Sequence, residues 1–98
     1  MTIETKRNGK EIAIEVTGRL DTGSAPMLDQ AINENVQDVE MLILDLNGLE
    51  YISSAGLRVL LNAQKKMNQL GAMKVKNVGE EVMSVFEMTG FADILTIE

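Results

Sequence analysis

Apolar and polar residues change rhythm several times along this chain, and each rhythm predicts an element. Glu11-Ile12-Ala13-Ile14-Glu15-Val16 puts Ile12, Ile14 and Val16 on alternate positions, the period of a strand with one buried face. Before it lie a polar stretch, Thr2 to Lys6 around Ile3, and Asn8-Gly9, a hairpin signal because both residues tolerate positive φ. An opening antiparallel hairpin is expected, with Lys6 and Arg7 near its edge discouraging pairing with other chains. Met27, Leu28, Ala31 and Ile32 then recur at helical spacing, after Ser24 as a cap and Pro26 in the first turn. Met41-Leu42-Ile43-Leu44-Asp45-Leu46 is an apolar run that reads as a strand buried on both faces.

From Ala55 to Leu70 the spacing is helical again, with Leu57, Leu60, Leu61, Met67 and Leu70 expected in the core. Lys65 and Lys66 fall in its expected last turn, and Gly71 closes it. Met73 to Lys76 alternates as a half-exposed strand. Glu80-Glu81 open a helix carrying Val82, Val85 and Phe86 at i, i+3 and i+4; Gly90 ends it. Ile94 to Ile97 reads as a last strand, and Met67, Met73, Met83 and Met88 as flexible core filler. The order β-β-α-β-α-β-α-β predicts one α/β domain over residues 1–98: a mixed sheet covered by helices, its hairpin antiparallel and its later strands parallel.

Composition narrows the function classes. A chain of 98 residues has room for one modest core, and 45% hydrophobic content is that of a globular protein. With no cysteine and no histidine, disulfides, thiol catalysis, the usual general base and the commonest transition-metal ligand are all excluded. A net charge of -6 argues against a nucleic-acid surface, and 3% aromatic residues offer no stacking platform for single strands. No apolar run reaches membrane-spanning length and no signal peptide opens the chain, so no membrane insertion and a cytosolic location are expected. Neither a G-x-x-x-x-G-K-[ST] nor a G-x-G-x-x-G pattern is present, and no cofactor is expected.

The informative stretch is Tyr51-Ile52-Ser53-Ser54-Ala55-Gly56-Leu57, between the central apolar run and the helix after it. It presents two hydroxyls at a helix start, where unpaired N–H groups and the helix dipole favour added negative charge. Read alone, a serine there is an N-cap. Together with Asp45-Leu46 upstream and Val59-Leu60-Leu61 downstream, however, the stretch resembles the signature of STAS domains, and most closely that of the bacterial anti-sigma factor antagonists. In that family the pattern is Asp-Ser-Ser/Thr/Ala-Gly-Leu, and the serine after the Asp is phosphorylated by a partner kinase. Matched by its Gly-Leu pair, that serine is Ser54, with Ser53 the second choice; the family's acidic residue falls on Ser53, and its usual Gly after the Leu falls on Arg58. Gly18-Arg19-Leu20-Asp21 resembles the family's loop beside the phosphorylated serine, with Asp21 on its acidic residue.

The resemblance implies a protein that is not an enzyme and has no catalytic residue or metal site of its own. Unphosphorylated, it would bind an anti-sigma factor that is also a serine kinase, freeing a sigma factor. Phosphorylation would break that complex, and a metal-dependent serine/threonine phosphatase would restore it. Candidate partner-binding residues are Asp21, Thr22, Ser53, Ser54, Ala55, Gly56 and Arg58. Asp45 is expected to support the loop by accepting N–H groups of Asn47-Gly48 or of the serine loop. Arg58, one residue past Leu57, points away from the apolar stripe and stands close to Ser54. The alternative is a STAS scaffold that does not switch, a subunit of a transporter, lipid-trafficking or stress-signalling complex.

Overall fold

A computed structural model describes residues 1–98. In chain order its elements are β1 (Thr2–Asn8), β2 (Glu11–Leu20), α1 (Ala25–Asn35), β3 (Met41–Ile52), α2 (Ser54–Leu70), β4 (Ala72–Lys76), α3 (Glu80–Thr89) and α4 (Phe91–Ile94). The strands form one sheet in the order β1-β2-β3-β4, antiparallel between β1 and β2 and parallel thereafter. Parallel neighbours need a crossover, and α1 and α2 supply the two. The hairpin turn sits one residue later than Asn-Gly suggests: Asn8 still pairs with Glu11, and only Gly9 takes a positive φ, +65°.

Burial is one-sided. Ile12, Ile14, Val16 and Leu20 of β2, and Leu42, Leu44 and Leu46 of β3, are buried with Leu28 and Ile32 of α1, Leu57, Leu60 and Met67 of α2, and Phe86 of α3. Met41, Ile43 and Asp45, on the other face of β3, are only half-buried. The expectation of a strand buried on both faces is therefore corrected: the helices cover one face of the sheet. The opposite face carries a groove of about 210 Å³ lined by Glu4, Lys6, Glu15, Ile43, Asp45 and Lys76.

Several boundaries move. β3 runs to Ile52 and β2 to Leu20, well past the expected ends of both strands. The expected strand Ile94–Ile97 contracts to one parallel bridge between Ile97 and Val75, flanked by hydrogen bonds from Val75 N–H to Thr96 O and from Glu98 N–H to Val75 O, both 2.8 Å. Ile94 instead ends the single turn of α4. In α2, Val59, Ala63 and Gln64 are buried, whereas Leu70, beside a groove lined by Asn33, Val36 and Gln37, stays 46% exposed. Lys65 and Lys66 precede the last turn. Met67 and Met73 fill the core, but Met88 is 86% exposed and fills nothing.

The end of α2 shows why a glycine is needed there. Gly71 has an extended φ of 167°, and its N–H donates to Met67 O at 2.7 Å. The next N–H, of Ala72, donates to Glu40 O at 2.9 Å, which starts the β3–β4 pairing. A Cβ on Gly71 would run into the Glu40 backbone carbonyl. Gly71→Ala is expected to destabilise the fold by about 2 kcal/mol or more, lowering the urea midpoint at unchanged slope. Met88→Gln, on the exposed methionine, should stay within about 0.5 kcal/mol of the parent in the same titration.

Candidate functional site

The site is assembled where β2 and β3 end side by side. Leu20 pairs with Ile52, and the N–H of Ser53 donates to Leu20 O at 2.9 Å, so the loop after β2 and the start of α2 share one edge. α2 seats closely on that edge because residue 56 lacks a side chain. A Cβ at Gly56 would meet Leu20 Cγ at 2.7 Å and Ile52 Cγ1 at 2.8 Å, both on buried residues. Gly56 thus sets how near the first turn of the helix stands to the sheet.

The two serines have different work. Ser53 is the N-cap, with extended backbone; its hydroxyl accepts from Gly56 N–H at 3.3 Å and its carbonyl from Leu57 N–H at 2.9 Å. Ser54 is the first residue of α2, is exposed, and its hydroxyl makes no hydrogen bond within the chain. The helix therefore starts one residue before Ala55, and the cap falls to the serine standing where the family has its acidic residue. Beyond them Ala55 is half-buried, Gly56 buried and Arg58 exposed.

Across the edge, Asp21 is fastened within its own turn. Its Oδ1 accepts from the N–H groups of Gly23 and Ser24, both at 3.0 Å, and from the Ser24 hydroxyl at 3.1 Å. These bonds, led by that from the Ser24 N–H, hold the carboxyl below its ordinary value, with Arg19 adding an attraction and desolvation opposing. Ser24 does not cap α1 as expected. It occupies the N-cap position, but its hydroxyl shares its single proton between Arg19 O, at 2.8 Å, and Asp21 Oδ1, and accepts from Asp21 N–H at 2.9 Å, closing the turn instead. Thr22 is exposed beside this turn. Together with Pro26, Asp29, Ala55, Arg58 and Asn62 it lines a shallow groove of about 270 Å³ between α1 and α2.

The structure thus brings Asp21, Thr22 and the segment from Ser53 to Arg58 to one edge, and leaves Asp45 apart from it. Asp45 lies in mid-strand, roughly 23 Å from Ile52 along β3 at the usual strand rise, and on the open face of the sheet. Its Oδ1 does accept the Asn47 N–H, at 3.0 Å, but its second donor is the Asn77 side chain, also at 3.0 Å. It braces the chain after β4, not the serine loop, because β3 continues beyond it instead of turning at Asn47-Gly48. Sequence reasoning missed Arg19 and Tyr51. These residues pair across β2 and β3, with the guanidinium 4.2 Å from the ring centroid. Only the true length of β2 places them opposite each other. No three His, Cys, Asp or Glu side chains are grouped so as to hold a metal ion.

A family model described as STAS domain matches residues 2–98. The chain belongs to the STAS domain family. Among its relatives in that family, the anti-sigma-B factor antagonist of Listeria monocytogenes serovar 1/2a is 32% identical over 101 aligned residues, covering 100% of this chain and 89% of the relative. The crystal structure of an anti-sigma factor antagonist from Mycobacterium paratuberculosis superposes with a TM-score of 0.89 at 26% identity, covering 98% of this chain and 83% of that one. The Bacillus cell fate determinant SpoIIAA in its phosphorylated form shares the fold, with a TM-score of 0.77 at 16% identity over 99% of this STAS chain and 91% of that one.

Two outcomes follow from the geometry. Gly56→Val should cost more than about 2 kcal/mol in denaturant unfolding, since overpacking costs about 1–3 kcal/mol and valine adds little helix propensity. The Asp21 carboxyl has a depressed folded value, so its contribution to stability is present above the unfolded carboxylate value. It is lost as pH falls through the folded value. Amide shifts of Gly23 and Ser24 should therefore titrate below the ordinary carboxylate range, and Asp21→Asn should remove that titration and lower the melting temperature at neutral pH.

Proposed function

We propose that this STAS protein is an anti-sigma factor antagonist whose Ser54 is the switch. The observation that carries the reading is the unequal use of the two serines. Ser53 is spent on the helix cap, while Ser54 is exposed with a free hydroxyl beside the Asp21 turn. Full-length similarity to a protein named anti-sigma-B factor antagonist supports the same reading. The unmodified protein docks its β2–α1 turn and the start of α2 on an anti-sigma factor, which lets go of its sigma factor. That anti-sigma factor is a serine kinase. It transfers the γ-phosphoryl group of ATP to Ser54 Oγ: the new O–P bond forms, the bond to the ADP leaving oxygen breaks, and the hydroxyl proton departs. A metal-dependent serine/threonine phosphatase hydrolyses the ester and resets the protein. The chain contributes docking and an acceptor hydroxyl, and the catalytic groups belong to its partners, in the cytoplasm.

The magnitudes suit a switch. A phosphoryl group adds about -1.5 to -2 charges at neutral pH. Placed in a docked surface without compensation, such a charge costs about 3–5 kcal/mol, or roughly two to four decades of affinity. Ser54 also lies at a helix start, where added negative charge suits the fold itself. The modification would therefore expel the partner without unfolding the chain.

Incubation with the cognate kinase and ATP, followed by peptide mass spectrometry, should find one phosphoryl group at Ser54 and none in Ser54→Ala. Ser54→Ala should still bind the anti-sigma factor, and Ser54→Asp should bind at least about tenfold more weakly, the equivalent of 1.4 kcal/mol. Modification at Ser53, or none with a kinase of verified activity, would sink the assignment.

A further inference from the structure

Ser54 and Arg58 are four residues apart on α2, and both are exposed. On a helix this spacing places side chains on one face, with Cβ atoms about 5–6 Å apart. Arg58 is also uncommitted. Its guanidinium makes no hydrogen bond, and the one ion pair in the chain joins Lys74 to Glu98. The other charges around it are Asp29 on α1, which lines the same groove, and Asp21 and Arg19 at the β2–α1 turn. Asp21 is taken up by its own turn, and Arg19 by the Tyr51 ring.

We infer that phosphorylated Ser54 captures Arg58 in an intrahelical ion pair, so that modification both adds an anion to the docking face and withdraws its free cation. The inference rests on the reading of Ser54 as the modified residue. An anion four residues before a cation is the favourable orientation on a helix, and guanidinium pairs with phosphate through parallel, charge-assisted hydrogen bonds. Before modification Arg58 is available to an acidic group on the partner. Afterwards it is held by its own helix. One covalent event thereby changes two charges that a partner reads.

The test uses the full chain with phosphoserine incorporated at position 54 during translation, so it needs no kinase. The second ionisation of the phosphate is followed by phosphorus NMR in the parent and in Arg58→Gln, Arg58→Lys and Lys65→Gln variants. Arg58→Gln should raise the midpoint by roughly 0.2–0.4 pH unit, the scale of an exposed i,i+4 pair. Arg58→Lys should recover part of the difference, Lys65→Gln should leave the midpoint alone, and about 1 M salt should shrink the Arg58 effect. Coincident titrations of parent and Arg58→Gln would overturn the capture. Equal shifts from Arg58→Gln and Lys65→Gln would overturn it too, by showing a general field in place of a pair. Failure of the kinase to modify Ser54 would instead strike the assignment of the switch and leave this titration standing.

Discussion

The close seating of α2 on the ends of β2 and β3 is the constraint from which the site follows. Gly56 allows it, because any Cβ there would press into Leu20 and Ile52. The Ser53 N–H bond to Leu20 O ties the same two strands together. With the helix held that near, Ser53 falls on the cap and Ser54 on the rim. A helix standing farther out would not bring Ser54 and Arg58 alongside the Asp21 turn. The exposed Ser54 hydroxyl is thus placed by a missing side chain two residues along the chain.

The second consequence of that seating is a division between rigid and free groups. Asp21 and Ser24 spend their polar atoms on each other and on the backbone, which fixes the shape of the neighbouring turn. Thr22, Ser54 and Arg58 project from these fixed supports without commitments of their own. On the proposed reading, such a surface would meet a partner with little rearrangement, and one modification would change how it is read. The depressed carboxyl of Asp21 belongs to the support, where it measures how firmly the turn is held.

Much of this was legible in the sequence. The alternation of Ile12, Ile14 and Val16, the helical spacing of Leu57, Leu60 and Met67, and the acids Glu80-Glu81 each report local geometry that tertiary packing left alone. The stretch from Tyr51 to Leu57 carries the STAS resemblance, and the family match agrees with it. The failures share a cause, in that each concerns what lies on the far side of an element. The run from Met41 to Leu46 looks buried on both faces because Met41 and Ile43 are apolar, yet they line an open face. Leu70 continues the helical spacing but reaches a groove instead of a neighbour. The Asn47-Gly48 pair suggests a turn, whereas pairing with β2 carries the strand through it; Asp45 accepts the Asn47 N–H as expected, but its other donor is Asn77 and not the serine loop.

The sheet clad on one side has a further meaning. From Ile12 to Val16 and from Leu42 to Leu46 alternate residues answer to the core, while those between them, among them Glu15 and Ile43, line the open face. A lineage can repaint that bare side, altering what the molecule jostles in a crowded cell, and leave the hydrophobic interior undisturbed. Folding and outward character are written in alternate letters of the same strands.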